Sequence, residues 1–147
     1  PLLAAGEDPA AHQEELARYA RSAGVSGQMR DDYLDLFGDA GLIGKPAGSD
    51  LRSGRRSYTV CAVLAATSGA ERELVESALA GPGCPPETVA RIQDIARHHG
   101  GCPRAPARRR RGAEEASAVA KGWRGRWRDD AVEFFERLPL WGARRAL

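Results

Sequence analysis

The stretch that most constrains this chain runs from Asp31 to Tyr58, DDYLDLFGDAGLIGKPAGSDLRSGRRSY. It has two halves of opposite charge. The first is an Asp-rich turn, Asp31-Asp32-Tyr33-Leu34-Asp35. The second is a Gly-rich loop that carries Lys45, Asp50, Arg52, Arg55 and Arg56. Asp31 and Asp35 are four apart, so on a helix they share one face, a turn from each other. Carboxylates this close repel unless a cation sits among them. Mg²⁺ suits such a place, because it takes a few carboxylates and completes its shell with waters and phosphate oxygens. Lys45 and the arginines can meet the remaining phosphate charge, Arg through a bidentate fork and Lys as a point charge. Gly38, Gly41, Gly44, Gly48 and Gly54 let the backbone turn tightly and come close to a ligand. Taken singly, an Asp-rich turn is a solvated helix face and a basic Gly-rich loop is a surface loop. The ordered combination, with GKPxGxDLxxGRRS following the acidic turn, is what points to a magnesium–diphosphate site.

The remaining sequence reads as helices separated by strong breaks. Asp8 caps and Pro9 opens a helix that runs to about Phe37, with Leu16, Tyr19, Ala20 and Ala23 as its apolar stripe and Gly38 as its stop. Gly24 and Gly27 leave room for a neighbouring helix or a ligand chain, or are simple packing glycines. Tyr33, Leu34, Leu36 and Phe37 are expected in the core. A loop covers 38–56. A second helix starts near Ser57 and carries Val60, Val63 and Leu64. Ser68-Gly69-Ala70-Glu71 has the form of a capping box and starts a third, to about Ala80, with Gly81-Pro82-Gly83 as the stop. Pro85-Pro86 opens a fourth, with Val89, Ile92 and Ile95 on one face and Gly100-Gly101 at its end. His98 and His99 fall in its last turn, where a cationic side chain suits the helix dipole. Arg104 to Arg111, RAPARRRR, reads as a solvated linker, without the interleaved aromatics that stack on bases. Glu114 to Lys121 reads as helix. Asp129 or Asp130 caps a last helix with Val132, Phe135 and Leu138, which Pro139 should kink or end. Trp123, Trp127 and Trp141 are read as packing residues.

Composition agrees with an all-α chain. Alanine and leucine dominate and β-branched runs are few. The 147 residues suffice for a domain with a core. A net charge of +2 does not by itself call for nucleic acid or a membrane surface. No apolar run is long enough to span a bilayer, and the sequence shows no signal-peptide pattern. Cys61, Cys84 and Cys102 are widely spaced and odd in number, which fits reduced thiols in the cytoplasm. A zinc set of Cys84, His98, His99 and Cys102 is the alternative for these residues, though no Cys pair has zinc-site spacing.

The segments Gln28-Met29-Arg30-Asp31-Asp32-Tyr33-Leu34-Asp35, Phe37-Gly38-Asp39, Gly44-Lys45-Pro46-Ala47-Gly48-Ser49-Asp50-Leu51-Arg52 and Gly54-Arg55-Arg56-Ser57 resemble the second aspartate-rich region of the trans-polyprenyl (isoprenyl) diphosphate synthases. The resemblance covers about residues 1–100, is strongest over 24–60, and fades by 101–128. It implies an isoprenoid-synthase-type helical fold, of which this chain would be the C-terminal portion. It also implies isoprenoid biosynthesis by Mg²⁺-dependent prenyl transfer, condensing an allylic diphosphate with isopentenyl diphosphate. By position, Asp31, Asp32 and Asp35 would hold the metal, with Asp31 the foremost direct ligand. Lys45 would contact the diphosphate, and Gln28 would line the prenyl pocket. Arg55, with Arg56 beside it, stands where the family usually has Lys and would meet phosphate. Asp50 and Arg52 would order the loop. Gly27 stands where the family usually has Phe, which changes the local shape of that pocket.

The family has two aspartate-rich motifs on facing helices, and this sequence contains one. None of the other acidic pairs forms a DDxxD pattern. The chain also begins with Pro1 rather than Met, in family-like sequence. It is therefore read as the C-terminal half of a longer or truncated protein. The expected organisation is 1–100 as the synthase-like helical part, 101–128 as a basic linker or helix, and 129–147 as a terminal helix. Two other readings stay open. One is a non-catalytic partner or remnant that binds diphosphate within a homo- or hetero-oligomer. The other is a basic interaction module centred on 104–128. Apolar faces left without the N-terminal half would call for a partner chain.

Overall fold

The computed structural model describes residues 6–81, 83–99 and 104–144. These are all-α, in the manner of the isoprenoid-synthase fold. Eight helices follow in order: α1 (Pro9–Phe37), α2 (Ala40–Ile43), α3 (Ser49–Arg52), α4 (Tyr58–Ala66), α5 (Gly69–Ala80), α6 (Pro86–His98), α7 (Arg104–Lys121) and α8 (Asp129–Arg144). Among the described residues no helix is long and apolar enough to cross a membrane.

The chain divides into two compact units. One comprises residues 28–107 and the other residues 1–27 with 108–146. The first is built on a core of Met29, Leu36, Leu51, Val60, Val63, Leu64, Val75, Val89 and Ile92, with Phe37 and Ile95 packed against it. Gln93 secures this arrangement by donating its side-chain amide to the Leu36 carbonyl at 2.6 Å. The expected apolar faces of the second and fourth helices are thus the faces that pack into this core. The segment 38–56 is not a plain loop, because it contains α2 and α3. Gly48 precedes α3 with φ 77, a conformation open to glycine.

Of two capping signals, one resolves as expected and one does not. Asp8 caps α1 as expected, accepting from the Ala10 amide at 3.0 Å. Ser68, however, makes no side-chain cap bond at α5. Its presumed capping partner Glu71 instead meets His99 Nε2 at 2.6 Å. A long-range partner has displaced the local one. His99 therefore has a specific acidic neighbour as well as its place at the end of α6. The glycine stop at Gly100-Gly101 and the cysteine Cys102 of the zinc alternative lie outside the described residues.

The second unit departs further from the sequence reading. RAPARRRR is not a linker, since α7 runs unbroken from Arg104 through Lys121. Ala113, Ala116 and Ala120 form its buried stripe, while Arg110 pairs outward with Glu114 at 2.8 Å. The run of arginines hides a helix whose inner face is mostly alanine, with Val119 packed beside it. Small residues also mark where α7 meets α1. Ser26 donates to the Arg109 carbonyl at 2.9 Å, and a Cβ on Gly112 would stand 3.2 Å from the Ser22 carbonyl oxygen. Tyr19, Trp123, Val132 and the alanines complete the core, with Leu16, Ala23, Trp127 and Phe135 against it. Ala20, expected in the stripe of α1, is exposed. Trp123 is buried and donates to Glu15 at 3.1 Å, whereas Trp141 is 56% exposed.

Pro139 neither ends nor breaks α8, which continues to Arg144. A proline in a helix leaves the carbonyl four residues earlier without its N–H donor. Here that carbonyl belongs to Phe135, and the Tyr19 hydroxyl donates to it at 3.0 Å. The vacated acceptor is satisfied from α1, so the helix is not forced to stop.

Candidate active site

The candidate residues lie in the unit formed by 28–107. The C-terminal turns of α1 present the three aspartates, and the segment from Gly44 to Tyr58 wraps back over them. The aspartates do not have equivalent surroundings.

Asp35 is the anchor of the loop. Its side chain is only 5% exposed. Oδ1 accepts from Lys45 Nζ at 2.8 Å and from the Ser49 hydroxyl. Oδ2 accepts from the Asp50 amide at 2.9 Å. The Asp35 backbone carbonyl accepts from the Gly48 amide at 2.6 Å. One residue of α1 thereby holds the start of α3 by backbone and side chain together. Burial works to raise the Asp35 carboxyl, but the Lys45 ammonium, the Ser49 hydroxyl and the Asp50 amide outweigh it and hold the group below the usual carboxylate range. The same bond to Asp35 raises the Lys45 ammonium above its ordinary value. Lys45 remains 51% exposed, so its charge faces outward while its position is fixed from behind.

Asp32 is also buried. Oδ2 accepts from the Tyr58 amide at 2.6 Å, at the first turn of α4. Oδ1 accepts from Gln28 Nε2 at 2.7 Å. Asp32 therefore fastens the far end of the loop, and Gln28, itself exposed, is tied to Asp32.

Asp31 is the carboxylate that faces solvent, at 59% exposure, with Arg30 Nη2 at 2.8 Å. It lies one turn before Asp35 on the same face of α1. Asp50 is buried, and burial followed by the neighbouring Asp35 charge pushes its carboxyl up. Arg55 approaches Asp50 at 3.4 Å and is largely exposed, as is Arg56. Arg52 braces the loop from within by donating to the Ala47 carbonyl at 2.5 Å.

The structure thus brings Asp35, Lys45, Ser49 and Asp50 into one hydrogen-bonded group, and Asp32, Gln28 and Tyr58 into another. It leaves Asp31, Arg55 and Arg56 on the surface. Ser49 and the two receiving amides, of Asp50 and Tyr58, were not legible as site components. The only sequence signal for Ser49 is its position between Gly48 and Asp50. Among the described residues no group of three or more His, Cys, Asp or Glu side chains is arranged to hold a metal ion. The donor set fits Mg²⁺ through one open carboxylate, Asp31, because this ion commonly binds protein through one or two carboxylates and fills its shell with water and phosphate oxygens.

Residues 2–96 match the Polyprenyl synthetase family. A geranylgeranyl diphosphate synthase of Saccharolobus solfataricus is 31% identical over 86 residues, covering 58% of this chain and 26% of that protein. A short chain isoprenyl diphosphate synthase of Methanocaldococcus jannaschii is 44% identical over 52 residues, covering 35% of this chain and 16% of that protein. A farnesyl diphosphate synthase of Escherichia coli is 33% identical over 76 residues, covering 52% and 25% respectively. The matched part of the chain thus spans between 16% and 26% of the length of these curated relatives. With 2–96 matched and the aspartate turn and lysine loop assembled as one unit, the chain belongs to the polyprenyl synthetase family.

Proposed function

We propose that this chain serves Mg²⁺-dependent prenyl transfer in the cytoplasm, in which an allylic diphosphate condenses with isopentenyl diphosphate, and that it supplies the second aspartate-rich motif of that chemistry as the C-terminal part of the fold. The observation that carries the reading is the fixed Lys45. A buried carboxylate holds its ammonium from one side and leaves the other side open, one helical turn from the exposed Asp31. Cleavage of the allylic carbon–oxygen bond puts negative charge on the departing diphosphate. Cations already aimed at that charge lower the barrier without reorganising. Lys45 meets it in a fixed place, and Arg55 and Arg56 meet it from the same loop. Mg²⁺, when bound, would add further neutralisation of the diphosphate. Asp31 is the residue that would hold it. Asp32 fastens α4 to α1 and Asp35 fastens α3 and Lys45 to it, while Asp31 stays exposed on α1.

A second reading is a partner subunit that binds diphosphate without turning it over. It is favoured by Asp32 and Asp35, whose carboxylates are engaged internally, leaving one open carboxylate.

A single set of assays separates the two. Prenyl transfer is measured with isopentenyl diphosphate and a short allylic diphosphate, and diphosphate binding is titrated with and without Mg²⁺. For the transferase, Asp31→Asn abolishes magnesium-dependent turnover and Lys45→Ala lowers it by about 10²-fold or more. Magnesium-dependent binding without turnover supports the partner subunit. Neither turnover nor binding would refute both.

A further inference from the structure

Ser49 stands between the two charged partners at the centre of the site. Its hydroxyl donates to Asp35 Oδ1. Lys45 Nζ donates to the Ser49 oxygen at 3.2 Å and to the same Asp35 Oδ1 at 2.8 Å. The three groups close a triangle, and chemistry fixes the direction of each bond in it. An ionised carboxylate only accepts, so the single hydroxyl hydrogen of Ser49 goes to Asp35. A lone pair of the same oxygen is left to accept from the ammonium.

The backbone carries Ser49 to this place. Gly48 takes φ 77 immediately before it. The Gly48 amide is bound to the Asp35 carbonyl at 2.6 Å, and the Asp50 amide to Asp35 Oδ2 at 2.9 Å. Both neighbours of Ser49 are therefore fastened to Asp35, and the hydroxyl between them is presented on a backbone that is held on either side.

An ammonium has three N–H bonds. In Lys45 one goes to Asp35 and one to Ser49, which leaves one. The tetrahedral nitrogen ties the three together, so two fixed acceptors set the direction of the third. Asp35 alone would leave the ammonium free to swing about a single bond. We propose that Ser49 is a positioning residue for diphosphate binding: by taking the second N–H of Lys45, it aims the third at a diphosphate oxygen. This inference rests on the assignment of Lys45 to diphosphate and adds to it the device that gives the lysine its direction. Lysine has a flexible four-carbon stem. A side chain already ordered by two bonds loses less freedom when the ligand arrives, and the affinity is higher by that difference.

The test is a calorimetric titration of the full chain with inorganic pyrophosphate in the presence of Mg²⁺. It is run on the wild type, Ser49→Ala, Ser49→Thr, Lys45→Ala and the double variant Lys45→Ala/Ser49→Ala, with circular dichroism to confirm that each keeps its helices. Ser49→Ala is expected to weaken binding by about tenfold. Ser49→Thr, which keeps the hydroxyl, should bind as the wild type does. Once Lys45 is gone, Ser49→Ala should make no further difference. That last readout separates aiming from support of the loop. A serine that only held the loop would weaken binding by the same factor in both backgrounds, because Arg55 and Arg56 belong to the same loop. Wild-type affinity in Ser49→Ala overturns the proposal, as does a Ser49→Thr no better than Ser49→Ala, or an equal loss in both backgrounds. In each of these cases a Lys45→Ala variant that still binds weakly leaves the lysine's own role standing. A wild type that does not bind pyrophosphate, or binds it indifferently to Lys45→Ala, overturns the assignment of Lys45 and the role of Ser49 with it.

Discussion

At the scale of residues, three aspartates that look interchangeable in sequence carry three duties. Asp35 is spent on Lys45, Ser49 and Asp50, Asp32 on Gln28 and Tyr58, and only Asp31 stands in solvent. Asp35→Asn keeps the size of the side chain but removes the charge that Lys45 and the receiving amide require. It is expected to cost about 1–3 kcal/mol of stability, while Asp31→Asn stays within about 0.5 kcal/mol. Urea unfolding checks both. The Asp35 carboxyl is held below its unfolded value, so its contribution is complete above about pH 4 and is lost as acid carries the pH down through the folded value. The wild-type urea midpoint should thus fall toward that of Asp35→Asn as pH drops from 5 to 2, and a constant gap would contradict the assignment. Lys45 has the opposite sign. Its folded value is raised, so its share persists at neutral pH and is lost only as pH rises through that value. The spacing of the aspartates was legible in the sequence. Their division of labour was not, because, apart from Gln28 one turn earlier, the partners of Asp32 and Asp35 come from 10 to 26 residues downstream.

At the scale of elements, two features turn on backbone geometry. Gly48 has φ 77, and a Cβ there would stand 2.7 Å from Val89 Cγ1. Gly48→Ala is expected to cost about 1–3 kcal/mol and to loosen α3 from Asp35, which thermal unfolding and weaker diphosphate binding would register together. Pro139 is the second feature. Tyr19→Phe should cost about 1 kcal/mol by orphaning the Phe135 carbonyl. Pro139→Ala restores an N–H to the helix, so in that background the same change should cost less. A double-mutant cycle measures the coupling, and strictly additive costs would show that the tyrosine hydroxyl is not compensating for the proline. The onset of α8 was readable from Asp129-Asp130 and its apolar period. Its continuation past Pro139 was not, since the compensating donor lies on α1. For the same reason α7 was hidden. A stretch rich in arginine reads as solvated until Ala113, Ala116 and Ala120 are seen facing a neighbour, with Arg110 turned outward to Glu114.

At the scale of the whole molecule, all three tryptophans belong to the unit formed by 1–27 and 108–146, so tryptophan fluorescence reports that unit. Its hub is Glu15, which accepts from Trp123, from Arg126 at 2.7 Å and from His12 at 3.1 Å. Hydrogen bonds that His12 donates to Glu15 and then Glu7 raise its imidazole, and Arg126 chiefly lowers the Glu15 carboxyl. A raised histidine gives stability that is fully present below about pH 6.5 and is lost as pH rises through its folded value. The urea midpoint followed by tryptophan fluorescence should therefore decline from pH 6 to 8, and His12→Gln should flatten that decline. A slope unchanged in the variant would remove His12 from the account. What the sequence determined by itself was local in origin: the all-α class, the helix from Pro9 to Phe37, the apolar faces of α4 and α6, and the family signature from Gln28 to Ser57. Periodicity, caps and glycine spacing are short-range properties, and they survive in one dimension. The tertiary structure decided which aspartate is open, which proline is tolerated, that Glu71 answers His99 rather than Ser68, and that an arginine run is a packed helix. Each of these depends on a partner distant in sequence, and a buried polar group takes whichever partner folding brings within reach.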